Sequence, residues 1–384
     1  MISSGITKGA SLVIADLLDV CCEIKPGDEV LIASHVDGLQ GGDNLVDEQT
    51  VAWIQQGVMA RGANPTVMWF EEPAKKHNWR VPPVFLGAMR AADVVIKNTT
   101  DLTTEEMRII HEMAREYNVR LCRNFVTTVG LLNSPWAQTP YELVTEIRHE
   151  AAKPFDESDA QFILEDPNGT YIEGKILPTN GYMHSKYSDY RKQGNSFLPF
   201  PEWMFPPISI TNTNGVFVFN QMMSWWSRYI GIPPVFEHPI ELTIKDSKIT
   251  KISGDNEADT LRRFFKEEME PILGQDVYNI PAIHSGVHPC AVVGPQHCDH
   301  PLITRLVGHT EHCNIHLHLG APQPCEAYPY WFHVTGDIRN ATWKVGEHLV
   351  HDKGRLTAID LPCIKAIAEK YPDRPGLGFV PRSF

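Results

Sequence analysis

Through the first 150 residues, apolar positions switch repeatedly between a helical and a strand period. Helical spacing runs from Ala10 to Cys22, the turn Lys25-Pro26-Gly27-Asp28 interrupts it, and Val30-Leu31-Ile32-Ala33 reads as a strand. A second helix is predicted over 47–61, stopped by Gly62 and followed by a strand at Val67-Met68-Trp69-Phe70. After a short helix ending before Ala92, the unbroken apolar run Val94-Val95-Ile96 suits a strand covered on both faces. Thr103 and Glu106 form a capping box for a helix ending near Tyr117, and Val119-Arg120-Leu121-Cys122 is a fourth strand. Strands separated by helices at this spacing predict a parallel sheet, helices on both faces and right-handed crossovers.

Thr139-Pro140-Tyr141-Glu142 reads as a second capping box, opening a helix to about Ala152 that bridges two units. Beyond it the pattern becomes strand and turn. Phe162-Ile163-Leu164, Tyr171-Ile172 and Val216-Phe217-Val218-Phe219 read as strands, Glu241 to Thr250 as a hairpin, and Ala258 to Leu273 as an amphipathic helix. The proline-rich piece from Leu198 to Pro207 reads as an ordered loop, because Phe200, Trp203 and Phe205 give it groups to bury. The expected architecture is an α/β open-sheet domain over residues 1–138 and an α+β catalytic domain over 139–384.

Composition narrows the function. With 384 residues, 42% of them hydrophobic, the chain can bury a large core. A net charge of -13 and the absence of any basic run argue against nucleic acid or an anionic membrane as partner. The N-terminus lacks a secretory pattern and there is no apolar stretch of about 18 residues. Eight cysteines without a CxxC pair fit reduced thiols better than a disulfide framework, so a cytoplasmic protein is expected. The glycines between Gly38 and Gly42 follow a strand but lack both GxGxxG and the P-loop lysine, which argues against a nucleotide cradle.

Eleven of the 17 histidines lie between His284 and His351. In His312-Cys313-Asn314-Ile315-His316-Leu317-His318-Leu319-Gly320 strand alternation puts His312, Asn314, His316 and His318 on one face. Neutral imidazole is the commonest side-chain metal ligand, and two residues apart on a strand is a workable ligand spacing; a hydrogen-bonded polar face without metal has the same pattern. His284 and His288 form a second set, and His333 lies close to the carboxylate of Asp337, as in mononuclear iron or zinc sites. His297, Cys298 and His300 match no zinc-ribbon spacing.

With these C-terminal motifs the chain resembles the 2,5-dihydroxypyridine 5,6-dioxygenase family, itself similar to aminopeptidase T-type metallopeptidases. The resemblance is sharpest from Pro239 to Gly354. It rests on Pro239-Ile240-Glu241-Leu242-Thr243-Ile244, Ile252-Ser253-Gly254 with Glu257-Ala258, Asp276-Val277-Tyr278-Asn279-Ile280 through Ala291, and His333 through Arg339-Asn340. It implies an aminopeptidase T-like fold. It also places an iron-binding histidine at the position of Ala282 and the aspartate of a His-x-Asp pair at Thr335, leaving His333 as the matching ligand. Pro201-Glu202-Trp203 falls where the aminopeptidases carry a metal-binding glutamate, which makes Glu202 a candidate ligand or general base.

The expected centre therefore draws its metal ligands from His316, His318, His333 and Asp337, with Glu202, His284 and His288 as candidate catalytic groups. The expected cofactor is a divalent metal, Fe(II) ahead of Zn or Mn. The expected reaction is dioxygenase-type opening of a small hydroxylated aromatic or N-heteroaromatic ring. The alternatives are a metal-dependent hydrolase of the aminopeptidase or amidase kind, or a non-enzymatic metal or ligand binder. Trp203, Phe205, Trp225 and Trp226 are candidate pocket walls, and the same apolar groups predict a homodimer.

Overall fold

The computed structural model describes residues 5–35, 46–70, 82–98, 104–156, 160–177, 197–201, 207–223, 227, 230–320 and 333–377, for a few of which, His333 among them, only the backbone is described. Gly38 to Gly42, Thr103, Glu202, Trp203, Phe205, Trp225 and Trp226 lie outside the described residues.

Strands β1 (Glu29–His35), β2 (Asn64–Phe70), β3 (Val94–Asn98) and β4 (Arg120–Asn124) form a parallel sheet in the order β2-β1-β3-β4. Helices α1 (Lys8–Ala15), α2 (Glu48–Ala60), α3 (Pro83–Arg90) and α4 (Thr104–Glu116) alternate with them, as the periodicity predicts. Asp47 caps α2 through its carboxylate, which accepts from the Thr50 N–H at 2.6 Å. Two apolar clusters, one containing Ile14, Ile54 and Ile32 and the other Phe85, Val95 and Leu121, cover the sheet and account for the all-buried run Val94-Val95-Ile96.

Two local expectations are corrected. The sheet takes a fifth strand, β7 (Phe197–Phe200), from the piece expected to be a loop; it lies parallel to β4 at the sheet edge, where Pro199 can be accommodated without a central ladder. The bridging helix spans Tyr141–Ala152 with Pro140 at its N-cap, and Thr139 does not cap it, because its hydroxyl donates back to the Pro135 carbonyl at 2.9 Å.

Among the described residues the second sheet has 11 strands, paired antiparallel throughout. Its spine is β8 (Ile208–Met222), flanked by β6 (Tyr171–Ile176), which pairs in turn with β5 (Gln161–Glu165), and by β9 (Val235–Lys245). The predicted hairpin is β9 with β10 (Lys248–Ser253), turned at Asp246 and Ser247, both with positive φ. Strands β11 (Ala282–Ser285), β12 (Ile315–Gly320) and β13 (His333–Ile338) form a three-stranded arm in which β11 meets one end of β8 and β13 the other. This arm carries the histidines.

Candidate metal centre

Register brings the site residues together. His284 of β11 pairs with His316 of β12, His316 with Asp337 of β13, and Asp337 with Gln221 of β8. Directly opposed residues of antiparallel strands share a face, so these four form one row across the arm. His318 and Thr335 pair in the adjoining row, while Ile283, Leu317 and Val334 belong to the hydrophobic core.

A helix over Pro301–His309 supplies the other half. Arg305 and His309 are four residues apart, hence on one helix face, and both reach the same oxygen of Asp337. The helix end is fastened to the arm by backbone bonds, from the Gly286 N–H to the Asn314 carbonyl at 3.0 Å and from the His288 N–H to the Thr310 carbonyl at 2.9 Å. Only glycine fits at 286, since a Cβ there would lie 2.3 Å from the Thr310 oxygen and 2.4 Å from that of Glu311.

His284, His309 and His316 each offer a ring nitrogen within 4.8 Å of the other two, and all three side chains are buried. His309 stacks on His316 with ring centroids 3.5 Å apart and planes 8° from parallel. His284 stands nearly perpendicular to His316 at 4.8 Å, and its Nε2 is 2.9 Å from Nε2 of His318, so one ring of that pair carries the shared proton. Burial, then the adjacent His309, pushes His316 well below the usual imidazole range and keeps it neutral.

Asp337 is fully buried and its Oδ2 accepts from Arg305, from His309 Nδ1 at 2.6 Å and from Asn314 Nδ2 at 3.2 Å. Asn314 Nδ2 also lies 3.0 Å from His316 Nε2. A carboxylate on Nδ1 of a histidine fixes the tautomer that leaves Nε2 as the electron-pair donor, the usual outer partner of a metal-binding histidine. Asp337 Oδ1 and His316 Nδ1 are buried without a protein hydrogen-bond partner, which marks polar capacity the protein alone does not use.

The donor set fits a divalent first-row metal: neutral imidazoles, buried, with a carboxylate behind one of them. Bonds of about 2.1 Å at tetrahedral angles hold ligand nitrogens about 3.4 Å apart, so closing on one ion from a 4.8 Å span requires the ligand atoms to draw together by about 1.4 Å. Stacked parallel rings do not both aim in-plane lone pairs at one point, so joint ligation by His309 and His316 requires one ring to tilt.

Of the expected residues, His284, His316, His318 and Asp337 are assembled here, with Asp337 behind a histidine. His288 lies elsewhere: it is buried, its Nδ1 accepts from the Cys290 N–H at 3.2 Å, its ring is 6.4 Å from that of Trp136, and burial followed by His312 lowers it to about 3. The backbone of His333 begins β13 opposite Gly320, two pairs beyond Thr335 and His318; its side chain, like all of Glu202, is outside the described residues. Sequence reasoning missed His309 and Arg305, although their i, i+4 spacing after the helix-starting Pro301 was a usable signal.

A cavity of about 630 Å³ adjoins the row at its Gln221 end, with Arg305, Gly308, Glu311 and Arg339 in its wall. Glu311 pairs with Arg339 NH1 at 2.6 Å.

No protein-family model and no curated relative matches the chain by sequence. Two solved structures match it in fold. The 2,5-dihydroxypyridine dioxygenase of Pseudomonas putida KT2440 matches with a TM-score of 0.61 over 90% of this chain and 96% of that one, at 15% identity. Wild-type AmpT from Thermus thermophilus matches with a TM-score of 0.54 over 92% of this chain and all of that one (100%), at 10% identity. No helix among the described residues is long and apolar enough to cross a membrane. The chain therefore has the expected aminopeptidase T-like fold, a parallel α/β sheet joined to an antiparallel α+β unit, in common with the dioxygenase and AmpT.

Proposed function

We propose that this chain is a divalent-metal enzyme acting on a small molecule, with the metal held by His284, His309 and His316. The observation that carries the reading is the Arg305–Asp337–His309 chain set against two further buried imidazoles. Structural packing alone gives little reason to bury three histidines nitrogen to nitrogen, because each desolvated polar atom needs a partner.

Within that class, the reading is dioxygenase-type opening of a small hydroxylated aromatic or N-heteroaromatic ring, with Fe(II) as the metal. The metal, when bound, would supply a Lewis-acidic seat for the substrate's oxygens and for dioxygen. Asp337 holds the proton on His309 Nδ1, and Arg305 offsets the carboxylate charge. His318, sharing a proton with His284, is the acid–base group beside the centre. The hydrolytic alternative needs a carboxylate available to take a proton from water. Among the described residues, Asp337 is the one carboxylate of the row, and it is engaged instead in orienting His309, Arg305 and Asn314, which favours the oxidative reading.

The test is metal analysis of anaerobically purified protein, followed by oxygen uptake with 2,5-dihydroxypyridine and with catechol. About one equivalent of iron and metal-dependent oxygen consumption are expected. Anaerobic turnover of amide substrates would replace the oxidative reading with the hydrolytic one, and failure to retain any divalent metal would end both.

A further inference from the structure

We propose that Cys21, Cys22 and Cys122 form a second metal site, on the parallel sheet, for one soft monovalent ion of the Cu(I) class held by sulfur alone. The three Sγ atoms lie within 4.8 Å of one another, those of Cys21 and Cys122 at 3.6 Å, and each residue is only 1% exposed. Sulfurs about 2.3 Å from an ion at the centre of their triangle stand about 4.0 Å apart, a spacing that those two distances bracket. All three are thiols rather than members of a disulfide. Thiolate sulfur selects Cu(I), zinc or iron–sulfur clusters; zinc and the clusters take four ligands, so three sulfurs favour Cu(I).

The local backbone distinguishes this cluster from the ordinary packing of buried thiols. Cys21 ends a π-type turn of 6 residues (Asp16–Cys21) that follows α1, and the Cys22 N–H reaches five residues back to the Leu17 carbonyl at 2.8 Å. Turns of this kind recur at functional sites. Successive residues of a helix diverge by about 100°, so a helix packed on a sheet normally turns only one of two neighbours toward it. Here both thiols bond to Cys122, which β4 presents on the sheet face that α1 covers. Two groups temper the negative charge of bound thiolates. Arg120, two residues before Cys122 on β4, donates from NH1 to the Cys22 carbonyl at 3.3 Å. The Tyr141 hydroxyl lies 3.0 Å from the Pro199 carbonyl and 3.4 Å from Cys21 Sγ, where a thiolate is the stronger acceptor. Burial, then the hydrogen bonds with Cys21 and Cys22, holds the Cys122 thiol well above its usual range, so without an ion the cluster keeps its protons. Binding forms copper–sulfur bonds and breaks S–H bonds, one proton leaving to solvent for each sulfur that becomes a thiolate; copper stays Cu(I) and nothing is oxidised. The site rests neither on the histidine centre nor on the function proposed for it.

The experiment is titration of the full chain, reduced and anaerobic, with Cu(I) in competition with the chelator bicinchoninate, followed by X-ray absorption at the copper edge on the sample holding one equivalent. One Cu(I) per chain in a sulfur-only shell is expected. Cys122→Ala removes the sulfur to which the other two bond; Cys22→Ala, at a position with helical backbone that alanine suits, is the second variant. Each should weaken the sulfur-bound copper by more than the roughly 10- to 100-fold that loss of an outer partner costs, with far-UV circular dichroism of the ion-free variants showing the native fold. His316→Ala, in the histidine centre, should leave the sulfur-bound copper as it is in the wild type. A first equivalent bound by nitrogen, a wild type that yields all its copper to the chelator, undiminished sulfur-bound copper in either folded cysteine variant, or its loss in His316→Ala would each overturn the proposal.

Discussion

Asp337→Asn is the sharpest perturbation of the centre, because it removes one charge and almost no volume. Asp337 is 0% exposed and faces Arg305, 6% exposed, so the substitution leaves a buried guanidinium without its carboxylate. Breaking one side of such a pair costs about 3–5 kcal/mol, since the remaining charge stays desolvated. For a unit of this size, where 1 kcal/mol moves Tm by about 2–4 °C, the loss is roughly 6–20 °C. The amide oxygen can still accept from His309 Nδ1 but as a weaker acceptor, so metal affinity should fall by about 10- to 100-fold. The assays are urea unfolding followed by circular dichroism and competitive metal titration against a chromogenic chelator. Replacing both members of the pair, Arg305→Met with Asp337→Leu, should recover about 2 kcal/mol or more of the lost stability, because the uncompensated charge is gone. An Asp337→Asn protein within about 1 kcal/mol of wild type, with unchanged metal affinity, would refute the account of the ion pair and of its coupling to His309.

Alanine at His284 or His316 should lower metal affinity by more than the roughly 10- to 100-fold typical of outer partners, measured by the same titration, while far-UV circular dichroism keeps the native spectrum. Gly286→Ala should cost about 1–3 kcal/mol or more in urea unfolding, since its Cβ would collide with two backbone carbonyls that cannot swing aside. Acid should destabilise the chain: burial lowers His288 and His351 to about 3 and His312 to about 4, below the ordinary 6.5. The unfolded chain therefore binds more protons below pH 6.5, and unfolding free energy should fall as pH drops, by up to about 4 kcal/mol per pH unit for the three together near pH 5. Denaturation at pH 7, 6 and 5 checks this, a flat profile being the contrary result. Light scattering should return twice the chain mass, as the expected homodimer requires.

The parallel sheet was legible because each strand carries its own apolar run and each helix its own stop, so local periodicity suffices. β7 was not, because Phe197-Leu198-Pro199-Phe200 is short, contains proline and joins β4 across more than seventy residues of chain. At the site, alternation placed His316 and His318 on one face, and both meet His284. What alternation cannot give is which helix covers that face. His309 enters by stacking on His316 from a separate element, and the role of Asp337 behind it depends on the β12–β13 register. His288, four residues from His284, is carried past the end of β11 into the seam with Thr310 and Glu311, so nearness in sequence misled there.

The row of His284, His316 and Asp337 bears on how such a centre can change in descent. The resemblance puts a histidine at Ala282 and an aspartate at Thr335; both residues flank His318 in the neighbouring row, Thr335 by direct pairing and Ala282 one step beyond the Ile283–Leu317 pair. Since β11 and β13 both run opposite to β12, they run the same way, and His284 and Asp337 each lie two residues further along. On the proposed assignment, in which His284 and Asp337 serve the metal centre, both stand one pleat, about 7 Å, from the positions the resemblance marks. A step of two keeps the face, whereas a step of one would drive a histidine or carboxylate into the packing of Ile283 and Leu317. A constellation can therefore walk along a sheet by point changes in even strides with the backbone pairing untouched. If the proposed ligands hold the metal, a comparison position by position would count them as lost, and a comparison pleat by pleat would find them moved.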